Sequence, residues 1–236
     1  MRPVIGTAGW SVSRGDAANF PEIGTALERY SQVFSGVEVN SSFYRPHRAS
    51  TWAKWAASVP DDFRFAVKIP KTITHQNKLV DVDPLVTQFA NEVGALHRKL
   101  SVVLVQLPPK LVFDPTIAES FFTVLRASIS AHVACEPRNP SWFDESASKM
   151  LEQLQVARVA ADPALGKLAA AWRGLSYWRL HGSPVMYRSS YPEEVIRAYA
   201  RDIRAARDAG IDTWCMFDNT AASAATGNAL SLKAEI

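Results

Sequence analysis

Two cysteines, Cys135 and Cys215, are all that the 236 residues contain, and each lies inside a strand-like apolar run. That excludes a disulfide scaffold and a zinc ribbon, and the pair reads as reduced, buried small hydrophobes of a cytosolic protein. Nowhere do about 18 consecutive apolar residues occur, so no membrane span is expected. The opening MRPVIGTAGW enters a strand-like run almost at once, with no charged and apolar leader pattern, so export is not expected either. No Gly-rich phosphate fingerprint follows any strand. Gly6-Thr7-Ala8-Gly9 is too short for one, which disfavours a dinucleotide cofactor. Histidines number five and show no H-x-x-E spacing, which argues against a multinuclear metal centre. No cofactor is therefore predicted and no metal ligand is assigned, although a single Mg²⁺ or Mn²⁺ held by Glu38, Glu136, His181 and Asp218 is left open. Charge of neither sign dominates: the net value is +3, so any basic surface must be local.

What is present is material for one substantial core, 47% hydrophobic and 21% charged, at a length suited to a single α/β barrel domain over residues 1–236. Eight β-branched or aromatic runs stand out: Val4 to Thr7, Val37 to Asn40, Phe63 to Ile69, Val102 to Leu107, His132 to Glu136, Val156 to Ala161, Tyr177 to His181 and Thr213 to Phe217. Helix-like spacing fills the intervals, as in Ile23 to Phe34, Trp52 to Val59, Leu85 to Leu100, Ile117 to Ile129, Glu145 to Leu154 and Glu193 to Ala209. Asp83-Pro84, Asp114-Pro115 and Asp162-Pro163 read as helix starts, and Gly210 as a stop. Strict alternation of strand and helix calls for parallel strands with right-handed crossovers. Eight repeats favour a (β/α)8, TIM-like barrel over an open doubly wound sheet, which stays as the alternative.

The strand-like runs end in polar residues: Asn40, Lys68, Gln106, Glu136, His181 and, after the last, Asp218. Period-two phasing puts Glu38 with Asn40, Arg64 with Ala66 and Lys68, and Tyr177 with Arg179 and His181, while Val37, Val39, Phe65, Val67, Trp178 and Leu180 take the opposite face. The polar set should therefore point into the barrel. Its members nearest the strand C-termini should surround the mouth, where such barrels carry their sites.

Seven segments together resemble the DUF72, or YecE-like, family: GTAGW at Gly6 to Trp10, VEVNSSFYRP at Val37 to Pro46, FRFAVKIPKTITH at Phe63 to His75, LVQLPP at Leu104 to Pro109, CEPRNPSWF at Cys135 to Phe143, YWRLHG at Tyr177 to Gly182, and FDNTAASAATGNAL at Phe217 to Leu230. They cover nearly the whole chain in the family's order. The resemblance implies a TIM-barrel-like fold and carries no settled activity with it. It departs at Asn139, where the family's motif usually has His, so no acid, base or metal-ligand role is assigned there.

Four residues are candidates for catalysis: Glu136, His181, Lys68 and Asp218. Lys68 suits anion binding or an ion pair with Glu38 or Glu136 better than a Schiff base, because an unpaired buried charge costs several kcal/mol. Glu136 and Arg138 share a direction, so a carboxylate beside a guanidinium can orient a hydroxyl or form a structural bridge. His181 suits proton transfer near neutral pH, and Asp162 suits a helix cap. Candidates for ligand binding are Glu38, Asn40, Tyr44, Arg45, His75, Gln106, Arg138, Trp142, Arg179 and Asn219, part of a rim where cations alternate with aromatics. The expected ligand is a small anionic molecule, phosphorylated or polyhydroxylated, that is bound and then hydrolysed or isomerised, with hydrolysis ahead. The alternative is a nucleic-acid-binding protein or nuclease. Oligomeric state is left open.

Overall fold

A computed structural model describes residues 2–165 and 172–236. Its strands are β1 (Val4–Thr7), β2 (Gly36–Val39), β3 (Arg64–Lys68), β4 (Leu100–Gln106), β5 (His132–Glu136), β6 (Val156–Arg158), β7 (Ala160–Asp162), β8 (Leu175–Leu180) and β9 (Asp212–Phe217). All pair in parallel, in the orders β2-β3-β4-β5-β6 and β1-β9-β8-β7. Two seams join these sheets. At the first, β6 and β7 are halves of one stretch that leaves β5 and joins β8: the Val159 N–H still bonds to the Cys135 carbonyl at 2.8 Å, while the Asp162 carbonyl accepts the His181 N–H at 3.1 Å. At the second, Ala8 bridges Glu38 and the Gly9 N–H donates to the Glu38 carbonyl at 2.8 Å. With β6 and β7 sharing one position, the strand order returns to its start after eight positions. That is the TIM-like α/β arrangement, and the open doubly wound alternative falls with it.

The helices are α1 (Ala26–Ser31), α2 (Ser41–Tyr44), α3 (Ala49–Ala57), α4 (Asp83–Val93), α5 (Pro115–Ser128), α6 (Glu145–Gln153), α7 (Glu193–Asp208) and α8 (Ala224–Ala234). Asp114 caps α5 as its sequence suggests, Oδ1 accepting the Ile117 N–H at 3.1 Å. Gly210 follows α7 with φ at +76°, a conformation only glycine adopts without strain. Other expectations need correction. Asp83 lies inside the first turn of α4, after Val82. Asp162 caps no helix at Pro163: it ends β7, and its carboxylate accepts the Tyr191 hydroxyl at 2.7 Å. α1 is half the length that its apolar spacing suggests, because a capping box of Thr25 and Glu28 starts it late. α4 stops at Val93, and a short tight helical segment, Gly94–Lys99, turns the chain at His97 (φ +50°) before β4 begins.

Alternation along the strands separates two apolar layers. Val37, Val39, Phe65, Val67, Val103, Val105 and Leu180 pack outward under the helices. Ala66, Val102, Leu104, Ala134, Ala157, Tyr177, Trp214 and Met216 fill the interior. An eight-stranded barrel has just enough room for such a filling. Cys135 and Cys215 are fully buried, and burial raises both thiols far above their ordinary range, so neither is reactive. Among the described residues, no helix is long and apolar enough to cross a membrane.

The β1–β2 seam is stapled by Tyr30 from α1. Its hydroxyl accepts the Thr7 N–H at 2.8 Å and the Thr7 Oγ1 hydroxyl at 3.0 Å, and donates to the Gly36 carbonyl at 3.3 Å. There the strands press so close that a Cβ on Gly6 would meet the Gly36 carbonyl oxygen at 2.2 Å. Tyr30→Phe keeps the ring and strands a buried N–H. Urea unfolding should show a loss of about 1–3 kcal/mol, and an unchanged midpoint would show that the staple carries no load.

Candidate functional site

Arg179, on β8 and fully buried, is the centre of the upper barrel. Its Nε donates to Glu38 Oε2 at 2.9 Å, Nη2 donates to Glu38 Oε1 at 2.7 Å and to Asp218 Oδ2 at 2.9 Å, and Nη1 donates to Glu136 Oε2 at 2.7 Å. Tyr177, one inward position below on the same strand, donates its hydroxyl to Glu38 Oε2 at 2.8 Å. Burial pulls the pKa of this arginine down, but Asp218, Glu38 and Glu136 raise it well above the ordinary value. Burial pushes the pKa of Glu136 and Asp218 up. Arg179 outweighs it in both cases, with hydrogen bonds from His181, and both carboxyls are held below their usual range.

His181 lies just past the end of β8, fully buried between two of these carboxylates. Nδ1 is 3.1 Å from Asp218 Oδ2 and Nε2 is 2.9 Å from Glu136 Oε1. Burial lowers its pKa, yet the hydrogen bonds to Asp218 and Glu136 raise it overall. An imidazolium donating to both is the consistent state. Arg138 Nη2, at 2.8 Å from the same Nε2 and 2.5 Å from Glu136 Oε1, then shares the Glu136 oxygen with the histidine. Three cations, Arg179, Arg138 and Lys68, face three carboxylates, Glu38, Glu136 and Asp218. A protonated His181 makes the cluster positive.

Above this cluster opens a cavity of about 820 Å³. Of the residues singled out in the sequence, Asn40, Tyr44, Lys68, His75, Gln106, Arg138 and Asp218 line it. Lys68 ends β3 with its Nζ 4.1 Å from the centre of the Phe43 ring, and among the described residues no carboxylate lies at salt-bridge distance. The expected ion pair with Glu38 or Glu136 is thus not formed. Burial, then the nearby Arg179, lower its pKa to about 8 against the pull of the three carboxylates. His75 sits on a π-helical turn, Thr72–Gln76, packed edge-on against Phe43 at 4.9 Å. Burial and then Lys68 lower its pKa. Among the described residues, the buried Asn40 Oδ1 atom has no hydrogen-bond partner.

Glu38, Glu136, Arg179 and His181 lie beneath the cavity rather than on its wall, so Glu136 and His181 reach a ligand only through Arg138 and Asp218. Three candidates are placed elsewhere. Trp142 is buried, packs on Phe113 and donates Nε1 to the Leu111 carbonyl at 2.9 Å. Asn219 is buried, and its Nδ2 ties the Ser189 carbonyl to Asn228 Oδ1. Arg45 is exposed at the end of α2, off the cavity wall. Asn139 acts on its own loop, where Oδ1 accepts the Ser141 N–H at 3.1 Å and starts the turn Pro140–Phe143. Sequence reasoning passed over Phe43 and Met186 on the cavity wall. Phe43 stands directly before Tyr44 in the run after β2, and nothing in its spacing separates a wall residue from one that packs a loop. Among the described residues no group of three or more His, Cys, Asp or Glu side chains is disposed to hold a metal. The Arg179 guanidinium occupies the space between the three carboxylates.

A parallel α/β barrel whose strand ends carry this charged cluster defines the class of protein. The family described as "Protein of unknown function DUF72" matches residues 4–236, and the chain belongs to that family. It is 31% identical over 144 residues to the UPF0759 protein YecE of Escherichia coli (strain K12), a match covering 58% of this chain and 52% of that protein. The matched stretch spans about half the length of YecE. The UPF0759 protein YunF of Bacillus subtilis (strain 168) is 26% identical over 262 residues, covering 95% of this chain and 91% of that one. In structure, the chain resembles a DUF72 family protein from Enterococcus faecalis V583, with a TM-score of 0.84 at 18% identity, covering 99% of this chain and 95% of the other.

Removing the central cation should be costly. Arg179→Met leaves three buried carboxylates without their partner, and urea unfolding at pH 7 should show a loss of about 3–5 kcal/mol. The depressed carboxyls contribute stability above their unfolded pKa that is lost as pH falls towards their folded values. The variant keeps only the part that His181, Arg138 and Lys68 supply, so the gap between the two proteins should narrow from roughly pH 5 to pH 3. A gap independent of pH would assign the loss to packing instead.

Proposed function

We propose that this protein is an enzyme that binds a small anionic molecule, phosphorylated or polyhydroxylated, in the cavity above Arg179. One observation carries the reading: Lys68 and Arg138 face the same cavity, and Lys68 lacks the carboxylate partner that would neutralise it. A buried cation without a paired carboxylate gains most from a ligand that brings a negative charge. Asn40, Gln106 and Tyr187 add donors and acceptors for hydroxyl groups around the same space. Asp218 supplies the carboxylate at the wall. Its Oδ2 is held by Arg179 and His181, while Oδ1 takes none of these bonds. His181 and Glu136 fix the charge and position of Asp218 and Arg138 from below, so proton transfer to substrate falls to Asp218, Lys68 and His75.

Sulfate tests the anion site because its charge is constant from pH 6 to 9. Calorimetry at low ionic strength should detect binding, and Lys68→Met should weaken it roughly tenfold, about 1.4 kcal/mol. Lysine is cationic below its pKa, so affinity should fall as pH rises through about 8. No binding of sulfate or of a sugar phosphate at low salt removes this reading.

A second reading, a nucleic-acid-binding protein or nuclease, has one observation in its favour. Tyr44 on the rim is 71% exposed, with Lys71 Nζ 6.0 Å from its ring centre and Arg45 beside it in sequence. Such a pairing suits a stacked base next to a phosphate. Binding of a single-stranded oligonucleotide, followed by anisotropy, should then weaken steeply from 50 to 200 mM salt and fall further in Tyr44→Ala. Absence of binding at 50 mM ends this reading.

A further inference from the structure

Lys68 is placed as a nucleophile would be. Its backbone is fixed at the end of β3, where the Ser42 hydroxyl donates to the Lys68 carbonyl at 2.7 Å. Its side chain crosses the face of Phe43 and ends in the cavity. The carboxylates that could hold it as an ammonium are engaged: Glu38 by Arg179 and Tyr177, Glu136 by Arg179, Arg138 and His181, and Asp218 by Arg179 and His181. The cationic Arg179 beneath disfavours a second fixed charge. A cation–π contact alone is a weak hold on an ammonium. This environment raises the share of free amine near neutral pH above that of an ordinary lysine, in keeping with a pKa lowered to about 8.

We propose that Lys68 forms an imine with the aldehyde or ketone carbonyl of a small anionic substrate. This deepens the anion-binding reading and rests on it. The Nζ lone pair attacks the carbonyl carbon, a C–N bond forms, and the C=O π pair moves to oxygen. A proton passes from nitrogen to that oxygen, giving a carbinolamine. A second proton, from solvent, lets the oxygen leave as water, and the nitrogen lone pair closes the C=N bond. The product is a protonated imine, and no oxidant or reductant is needed. His75 and Tyr187 line the same cavity and are placed to relay these protons. The iminium carries the positive charge that the ammonium would have carried, so the attraction for the anionic part of the substrate persists through the step.

Hydride trapping tests the proposal on the intact wild-type protein. Glyceraldehyde 3-phosphate, an anionic aldehyde, is added with cyanoborohydride at pH 7, and peptide mass spectrometry locates the reduced adducts. The exposed Lys54, Lys78, Lys110 and Lys149 serve as internal references. Lys68 should label at least roughly tenfold faster than any of them, because a larger share of its amine is unprotonated at that pH. Sulfate or glycerol 3-phosphate, anions without a carbonyl, should slow labelling at Lys68 and leave the reference lysines unaffected. Uniform labelling in a protein that binds sulfate overturns the imine and leaves the anion site standing. Uniform labelling without sulfate binding overturns both.

Discussion

The Arg179 guanidinium, closed in by Glu38, Glu136 and Asp218, is the interaction on which the upper half of the barrel depends. Burying four charges is expensive, and only a complete shell of hydrogen bonds offsets that cost. Here each of Nε, Nη1 and Nη2 has a carboxylate oxygen within 3 Å. The partners come from β2, from β5 and from the residue after β9, so one side chain on β8 ties together strands from across the ring. The barrel is therefore filled in two tiers. Small aliphatic and aromatic side chains close its lower part, and an ionic plug closes its upper part.

That plug also compensates for a weak place in the sheet. β1 and β2 meet through one bridge, Ala8 to Glu38, plus the hydroxyl of Tyr30. The residue at the bridge is the one whose carboxylate holds Arg179 and Tyr177, so Glu38 joins β2 to β1 by its backbone and to β8 by its side chain. A seam with few ladder bonds is thereby closed from inside. The close approach of Gly6 to the Gly36 carbonyl is possible because Gly6 carries no Cβ, and a Cβ on Gly36 would collide with the Val4 side chain.

Much of this was legible in the sequence. Alternation within each strand identified the inward residues correctly, because a strand's side chains must take opposite faces. Height along the barrel axis was not legible. Arg179 and His181 share a face with Lys68 in any phasing, yet the first two are sealed and the third is open, since strand tilt and stagger set depth and leave no local mark. Asp162-Pro163 is the same dipeptide whether it opens a helix or closes a strand; the Tyr191 hydroxyl, 29 residues away, decides the matter. Trp142 and Asn219 were drawn to the site by their position next to strand ends. Their polar atoms instead satisfy the Leu111 and Ser189 carbonyls, contacts between separate loops that no spacing rule encodes.

The arrangement of charges, rather than their number, gives the mouth its chemistry. Three carboxylates lie close enough to influence Lys68, and in a less ordered cluster one of them would pair with it. They do not, because a guanidinium has a planar fan of donors that a point-like ammonium cannot match. Arg179 takes the carboxylates first, His181 and Arg138 take most of their remaining oxygen sites, and the lysine is left on an aromatic ring at the wall. The stability of the plug and the lack of a carboxylate at Lys68 are in this sense one property. The better Arg179 satisfies the acids below, the less counter-charge remains for Lys68, which is the physical ground of the anion-binding proposal.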